Sequence, residues 1–218
     1  MSSEPGGKAI AGGRIAMADE GTMSARQREV YDRIVSGKRG RIVGPLRVAL
    51  HSPELADRWQ ALGEYLRFDS RLPRELSELA IAMTGRYWNC QLEWVIHSRV
   101  AVEAGLSADI IESIRTAQPP QLDGAPQVAV YEFARELLGF GHVSDDVYAK
   151  LIDAVDVVAA VELTAIIGYY SMVAMTLNAH DVPLPADEDG PRLELSESDG
   201  LPEPTRLPST LAGESARE

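Results

Sequence analysis

The hydrophobic segments of this chain between Ser24 and Pro183 carry their apolar residues at intervals of three and four. That spacing places the apolar residues on one face of an α-helix, whereas a half-buried strand needs alternation at every second residue. No segment keeps such an alternation with β-branched residues. The sequence therefore predicts an all-α fold, a single-domain bundle of seven or eight helices.

Helix start signals divide the chain into these segments. Ser24 is followed three residues later by Gln27, which is a capping-box pattern, and Ser52 is followed directly by Pro53. Residues 38–50, with two glycines and a proline between the first two helices, are expected to form an ordered loop. Further helices are predicted to begin at or near Pro73, Cys90, Ser107, Pro126, Ser144 and Asp156.

Both ends of the chain lack the periodic apolar content of the middle. Residues 1–23 are rich in Gly, Ala and Ser, and residues 186–218 are rich in Pro, Ser and acids. Segments of this kind bury too little apolar surface to offset the entropy of ordering. We therefore predict disordered segments at 1–23 and 186–218, and a folded domain over 24–185.

Charge and cysteine usage exclude several classes of protein. A net charge of -12 argues against binding to nucleic acid or to an anionic membrane surface, since both need basic patches. The one cysteine excludes an intramolecular disulfide. The stretch 157–177 is apolar but contains Glu162, so it is interpreted as a buried helix rather than a membrane span. These features together predict a cytoplasmic protein.

Three chemically active side chains share one face of the helix predicted near Cys90. Cys90, Glu93 and His97 stand at positions i, i+3 and i+7, and the stripe continues through apolar residues. Buried titratable groups are costly unless paired, and clusters of them often mark chemistry. Glu93 is one turn from His97, so its carboxylate could fix the tautomer of a general base. The alternatives are a hydrogen-bonded core histidine and an ordinary surface pair.

Glu78 and Cys90 each allow two interpretations. Glu78 lies in the core-like segment 76–83, so it either faces solvent or is buried beside a partner. If it faces His97, two carboxylates and one imidazole share a pocket. Cys90 is either a nucleophile activated by His97 or an inert buried thiol.

The sequence predicts no metal site and no cofactor. A single Glu-x-x-x-His differs from the paired Glu-x-x-His of di-iron bundles and from the His-Glu-x-x-His of zinc proteases. Glu162 and Tyr169 lie seven residues apart on one face, where they either line a pocket or bond between subunits. Contacts with a small-molecule substrate are expected from Trp94, Arg74, Glu162 and Tyr169.

Residues 74–81, 88–97 and 101–107 resemble the carboxymuconolactone decarboxylase family, which also contains the AhpD-type alkylhydroperoxidases. The resemblance implies an AhpD-like helical bundle that assembles into homo-oligomers, trimers or hexamers, with active sites near subunit contacts. The AhpD type works with a glutamate, a Cys-x-x-Cys pair and a histidine, which Glu78, Cys90 and His97 match in part. Glu93 stands in place of the second cysteine, and a dithiol cycle cannot run on one thiol.

The decarboxylase type is similar in keeping Glu93 and His97 without a redox pair. The leading hypothesis is therefore a cofactor-independent enzyme that converts a small carboxylated or lactone substrate. His97 would move the proton, Glu93 would orient the imidazole of His97, and Glu78 would be a second acid or a support. The alternatives are a peroxidase that uses Cys90 with an external thiol, and a non-catalytic helical oligomer that binds a small acid.

Overall fold

A computed structural model describes residues 13–185, 190–195 and 201–211. Within these residues the chain forms eight helices and no strand, which confirms the predicted all-α class. The helices are α1 (Ala25–Ser36), α2 (Gly44–Ala49), α3 (Pro53–Phe68), α4 (Arg74–Tyr87), α5 (Gln91–Glu103), α6 (Ala108–Arg115), α7 (Gly124–Phe140) and α8 (Asp145–Ala179). No helix of the described residues is both long and apolar enough to cross a membrane.

The helices fall into two compact units. Of the described residues, the first unit contains 13–69 and 176–184, and the second contains 70–175, 185, 190–195 and 201–211. The folded domain predicted over 24–185 stays a prediction.

In the first unit, α1 begins as the sequence predicts. The Ser24 hydroxyl accepts a hydrogen bond from the Gln27 backbone at 3.3 Å, and the Gln27 side chain accepts one from the Ser24 backbone at 2.9 Å. Helices α1 and α2 both pack on α3. The loop predicted over 38–50 is wrong for residues 44–49, because Pro45 stands in the first turn of α2. The fixed φ of proline suits that turn, although the residue reads as a breaker in the sequence.

In the second unit, α4 packs against α5, α6 and α7. Every residue of α4 from Leu76 to Arg86 is buried. A helix surrounded by neighbours on all sides is buried around its whole circumference. Polar side chains in the middle of α4 therefore have to find partners inside the protein.

Helix α8 is interrupted at Asp156, whose φ is 75°. The Asp156 carboxylate accepts hydrogen bonds from the backbones of Val158 and Ala159 at 2.9 and 3.0 Å. This is how an N-cap residue satisfies the free donors of a new helix. The prediction of a separate helix from about Asp156 is confirmed.

The C-terminal segments 190–195 and 201–211 pack on the helices of the second unit, to which they belong. The Gln91 amide donates to the Leu193 carbonyl at 2.6 Å and accepts from its backbone N–H at 3.0 Å. The Thr205 backbone donates to the Tyr87 carbonyl at 2.8 Å, and Leu207 is buried. Hydrogen bonds rather than a large apolar surface hold these two segments, and the disorder predicted over 186–218 stays a prediction. The rest of 186–218 lies outside the described residues.

Residues 13–23 also make specific contacts within the first unit. The Arg14 backbone donates to the His180 carbonyl at 2.9 Å, and His51 lies 2.7 Å from the Ala16 carbonyl. The disorder predicted over 1–23 stays a prediction. Residues 1–12 of that predicted segment lie outside the described residues.

Candidate active site

The three-residue turn between α4 and α5, residues 88–90, sets the position of the candidate site. Asn89 adopts a φ of 51°, in the left-handed region that asparagine tolerates. The Cys90 backbone donates to the Gly85 carbonyl at 2.9 Å, and the Asn89 backbone donates to Arg86 at 3.1 Å. These two bonds form a Schellman motif, which ends α4 and starts α5 directly at Cys90.

Gly85 allows the two helices to approach closely at this turn. A Cβ atom at Gly85 would lie 3.3 Å from the Trp94 backbone nitrogen and 3.4 Å from the Cβ atom of Glu93. Both distances are at or below the tight limit of ordinary packing, so a side chain here would push the helices apart. The first turn of α5, which carries Glu93, is thereby held against α4.

Glu78 of α4 meets Glu93 and His97 of α5. The Nδ1 atom of His97 lies 2.7 Å from Oε2 of Glu78, and the Nε2 atom lies 3.4 Å from Oε2 of Glu93. The three side chains are only 5%, 4% and 6% exposed, in the order His97, Glu78, Glu93. An imidazole held between two buried carboxylates can accept, hold and return a proton.

The aromatic ring of Tyr170 packs edge-on against the imidazole. The ring centroids of His97 and Tyr170 are 5.0 Å apart, with an angle of 80° between the ring planes. Tyr169 is in turn edge-on to Tyr170 at 5.3 Å. Spacing of seven residues from Glu162 predicts Tyr169 as a site residue and does not single out Tyr170. Counting seven residues from the buried Leu163 would have selected Tyr170.

Cys90 is the N-cap residue of α5 and is 1% exposed. Burial raises the pKa of the Cys90 thiol to about 12, and the charge of Glu93 acts in the same direction. The thiol therefore stays protonated at neutral pH. Since the thiolate is the nucleophile, this environment suits an inert buried cysteine.

The described contacts of the remaining predicted site residues are with other parts of the second unit. Glu162 is buried and accepts a hydrogen bond from the Arg71 backbone at 2.6 Å. The buried Trp94 donates its indole N–H to the Pro191 carbonyl at 2.9 Å, and Arg74 is exposed at the first position of α4. The substrate-binding roles of Trp94, Arg74, Glu162 and Tyr169 stay predictions. Within the described residues, no group of three His, Cys, Asp or Glu side chains is placed to hold a metal ion.

The segment that contains the site matches the model of a known family. Residues 53–136, from the start of α3 into α7, match the model of the carboxymuconolactone decarboxylase family. The matched region includes Glu78, Cys90, Glu93 and His97, and thus the helix pair that forms the site. No curated protein matches the chain.

Several solved structures share the fold. An AhpD-core, peroxidase-related protein from Ralstonia eutropha JMP134 is 14% identical with a TM-score of 0.66, over 82% of this chain and 95% of its own. A peroxidase-related protein from Silicibacter sp. TM1040 is 15% identical with a TM-score of 0.65, over 84% and 96%. The debrominase Bmp8 is 16% identical with a TM-score of 0.62, over 78% and 91%. At these identities the likeness establishes an AhpD-like fold.

Proposed function

We propose that this chain is an enzyme that transfers a proton, without a cofactor, on a small carboxylated or lactone substrate. The observation that carries the proposal is the His97 imidazole between the buried carboxylates of Glu78 and Glu93, at 2.7 and 3.4 Å. The family of residues 53–136 supports decarboxylation as the reaction class.

The two carboxylates have different roles in this proposal. Glu78 makes the shorter contact, so it accepts the Nδ1 hydrogen of His97 and fixes the tautomer. The Nε2 atom is then the one that exchanges a proton with the substrate. Glu93 lies beside Nε2 and stabilises the positive charge when that atom is protonated. Glu78 thus takes the orienting role that the sequence predicts for Glu93.

Decarboxylation requires one proton for each CO2 released. The bond between the carboxylate carbon and the adjacent carbon breaks, CO2 leaves, and the electron pair stays on the substrate as an enolate of the lactone carbonyl. The protonated Nε2 of His97 then gives its proton to that carbon, and the imidazole regains a proton from water. The imidazole serves as the general acid of this step.

Burial imposes a further requirement on this mechanism. Because Glu78, Glu93 and His97 are each at most 6% exposed, a substrate reaches Nε2 only after neighbouring side chains move. The edge-on ring of Tyr170 is one such side chain. When these side chains return over the bound substrate and exclude water, the electrostatic interactions of the site become stronger.

The test uses the purified full chain with a panel of lactone carboxylic acids in D2O. CO2 release and incorporation of deuterium into the substrate are both followed, so that proton transfer is seen even without decarboxylation. His97→Asn is expected to lower the rate by about 10²- to 10⁴-fold. His142→Asn, at an exposed histidine outside the site, is the control. Turnover that survives His97→Asn would refute the proposal.

Peroxidase chemistry at Cys90 is less well supported, because the thiol is buried and its pKa is raised to about 12. If the chain is instead a non-catalytic binding protein, no acid of the panel will incorporate deuterium or lose CO2, although some of the acids will still bind. These outcomes separate the three readings of the site.

Assembly into a homo-oligomer, a trimer or hexamer, is proposed on separate grounds. Val157 and Val161 of α8 are 55% and 64% exposed. Exposed apolar rows of this kind mark contact surfaces between proteins. Sedimentation velocity of the native chain and of Val161→Glu tests this, since the variant is expected to shift the protein toward the monomer.

A further inference from the structure

A cavity of about 440 Å³ opens in the second unit, apart from the residues of the candidate active site. It lies between α7 and the part of α8 before Asp156, and the C-terminal segment closes a third side. Its apolar lining consists of Ala125, Val128 and Ala129 of α7, Val147 and Ala154 of α8, and Leu211.

Small side chains explain why the space is open. Ala125, Val128 and Ala129 stand at i, i+3 and i+4, so they form one face of α7. Val147 and Ala154 are seven residues apart and form the facing side on α8. Native interiors are close-packed, and apolar cavities of about 300–1,000 Å³ are typical of small-molecule sites.

Two of the three charged residues at this cavity already have partners. Oε1 of Glu132 accepts hydrogen bonds from the backbone and hydroxyl of Thr210, both at 2.6 Å, and Oε2 accepts one from Arg135 at 2.6 Å. The Lys150 ammonium group lies 2.6 Å from Asp146. The charge of each group is thus offset by a neighbour of opposite sign.

The third charged residue, Asp153, determines which ligand charge the cavity favours. Asp153 is exposed and lines the cavity, where its carboxylate can meet the polar end of a ligand. The positive end of the α8 dipole is balanced by Asp145 and Asp146 in its first turn. The surroundings of the cavity therefore favour a cation or a hydrogen-bond donor and disfavour an anion.

We propose that this cavity binds an aliphatic amine, with the apolar body between α7 and α8 and the ammonium group at Asp153. This ligand class differs from the carboxylated substrate proposed for His97. The proposal does not depend on the activity of the His97 site.

The experiment measures binding of octylamine, octanol and octanoate to the full chain by isothermal titration calorimetry. Octylamine is expected to bind more tightly than octanol, and octanoate most weakly. Asp153→Asn is expected to weaken the binding of octylamine by about two- to fivefold, the range of a surface charge pair, and to leave the binding of octanol unchanged. Octanoate binding as tightly as octylamine would overturn the proposal.

A second set of variants tests the location. Ala125→Trp fills the cavity from its exposed end and is expected to abolish binding of both octylamine and octanol. Ala165→Trp, at an exposed alanine of α8 outside the lining, is the matched control and is expected to bind normally. If Ala125→Trp loses its helical circular dichroism, Ala154→Trp replaces it. Binding that persists in a folded cavity-filled variant, or no binding by the native chain, contradicts the proposal.

Discussion

Glu78 and His97 are joined by a contact of 2.7 Å between Oε2 and Nδ1, although they are nineteen residues apart in the chain. Glu93 is one helical turn from the same histidine, yet its carboxylate lies 3.4 Å from Nε2. The stronger interaction of the imidazole is therefore with the neighbouring helix. This contact links α4 to α5 in the centre of the site.

Glu78→Gln is expected to destabilise the protein more than Glu93→Gln. The amide keeps the size of the carboxylate but weakens the shorter contact, which we expect to lower the free energy of unfolding by about 1–3 kcal/mol. Urea denaturation at pH 7 measures the difference. Glu103→Gln, at the exposed end of α5, is the control and should change stability by less than about 0.5 kcal/mol. Equal losses for the two buried glutamates would contradict the unequal geometry.

Local patterns account for most of what the sequence predicts about the fold. The start of α1 depends on Ser24 and Gln27, which are three residues apart, and the break at Asp156 depends on donors two and three residues later. Helical periodicity and capping involve residues that are close together in the chain, so both can be recognised in a single sequence. The loop prediction is wrong at 44–49, where Pro45 starts a helix instead of ending one.

Long-range contacts account for what the sequence does not predict. The spacing of Cys90, Glu93 and His97 indicates a shared face, but it cannot show that Glu78 reaches Nδ1 of the imidazole. The C-terminal segment is held by bonds such as the one from the Asn89 side chain to the Glu203 carbonyl at 2.7 Å. Such a bond leaves no periodic pattern, so composition alone predicts disorder there.

The stability of the protein is expected to fall above pH 9 because of Cys90. Burial raises the pKa of the folded thiol from 9.0 to about 12. The stabilisation from the neutral buried thiol is complete below the pKa of the unfolded state and is lost as the pH rises toward 12. The slope has an upper limit of about 1.4 kcal/mol per pH unit in this window.

Cys90→Ala is the comparison that isolates this effect. Urea denaturation of both proteins between pH 8 and pH 10.5 should show a steeper decline for the native chain. Iodoacetamide at pH 8 should label the native chain only when urea unfolds it. Rapid labelling of the folded protein would show that the thiol is accessible and would support the peroxidase hypothesis.

Asn89 is expected to hold the C-terminal segment against the turn between α4 and α5. Its amide donates to the Glu203 carbonyl, and its Oδ1 accepts from the Thr205 hydroxyl at 2.9 Å. Asn89→Gly keeps the φ of 51° accessible but removes these bonds. Hydrogen exchange of the Thr205 amide, which is bonded to the Tyr87 carbonyl, should therefore accelerate by about tenfold or more.

Two readouts in the same samples control this experiment. Amides in the middle of α6 should exchange at unchanged rates, because no bond of Asn89 reaches them in the described residues. Thr205→Val should reproduce part of the acceleration, since it removes the hydroxyl bonds from the other side. Unchanged exchange at Thr205 in both variants would mean that the segment is held by its other contacts.

Gly85 and Gly168 are expected to respond in opposite directions to alanine. Both are helical, so alanine at either position gains up to about 1 kcal/mol of helix propensity. At Gly85 the new methyl group would lie 3.3 Å from the Trp94 backbone and 3.4 Å from Glu93. Overpacking of this kind typically lowers stability by about 1–3 kcal/mol, which outweighs the propensity gain.

At Gly168 a methyl group meets nothing within 4 Å, so Gly168→Ala is expected to raise the thermal midpoint while Gly85→Ala lowers it. The two variants also differ in their effect on the site. Displacement of Glu93 in Gly85→Ala should reduce any deuterium incorporation that depends on His97, whereas Gly168→Ala should leave it unchanged. A Gly85→Ala protein that is both more stable and fully active would show that α4 and α5 do not need their close approach at this turn.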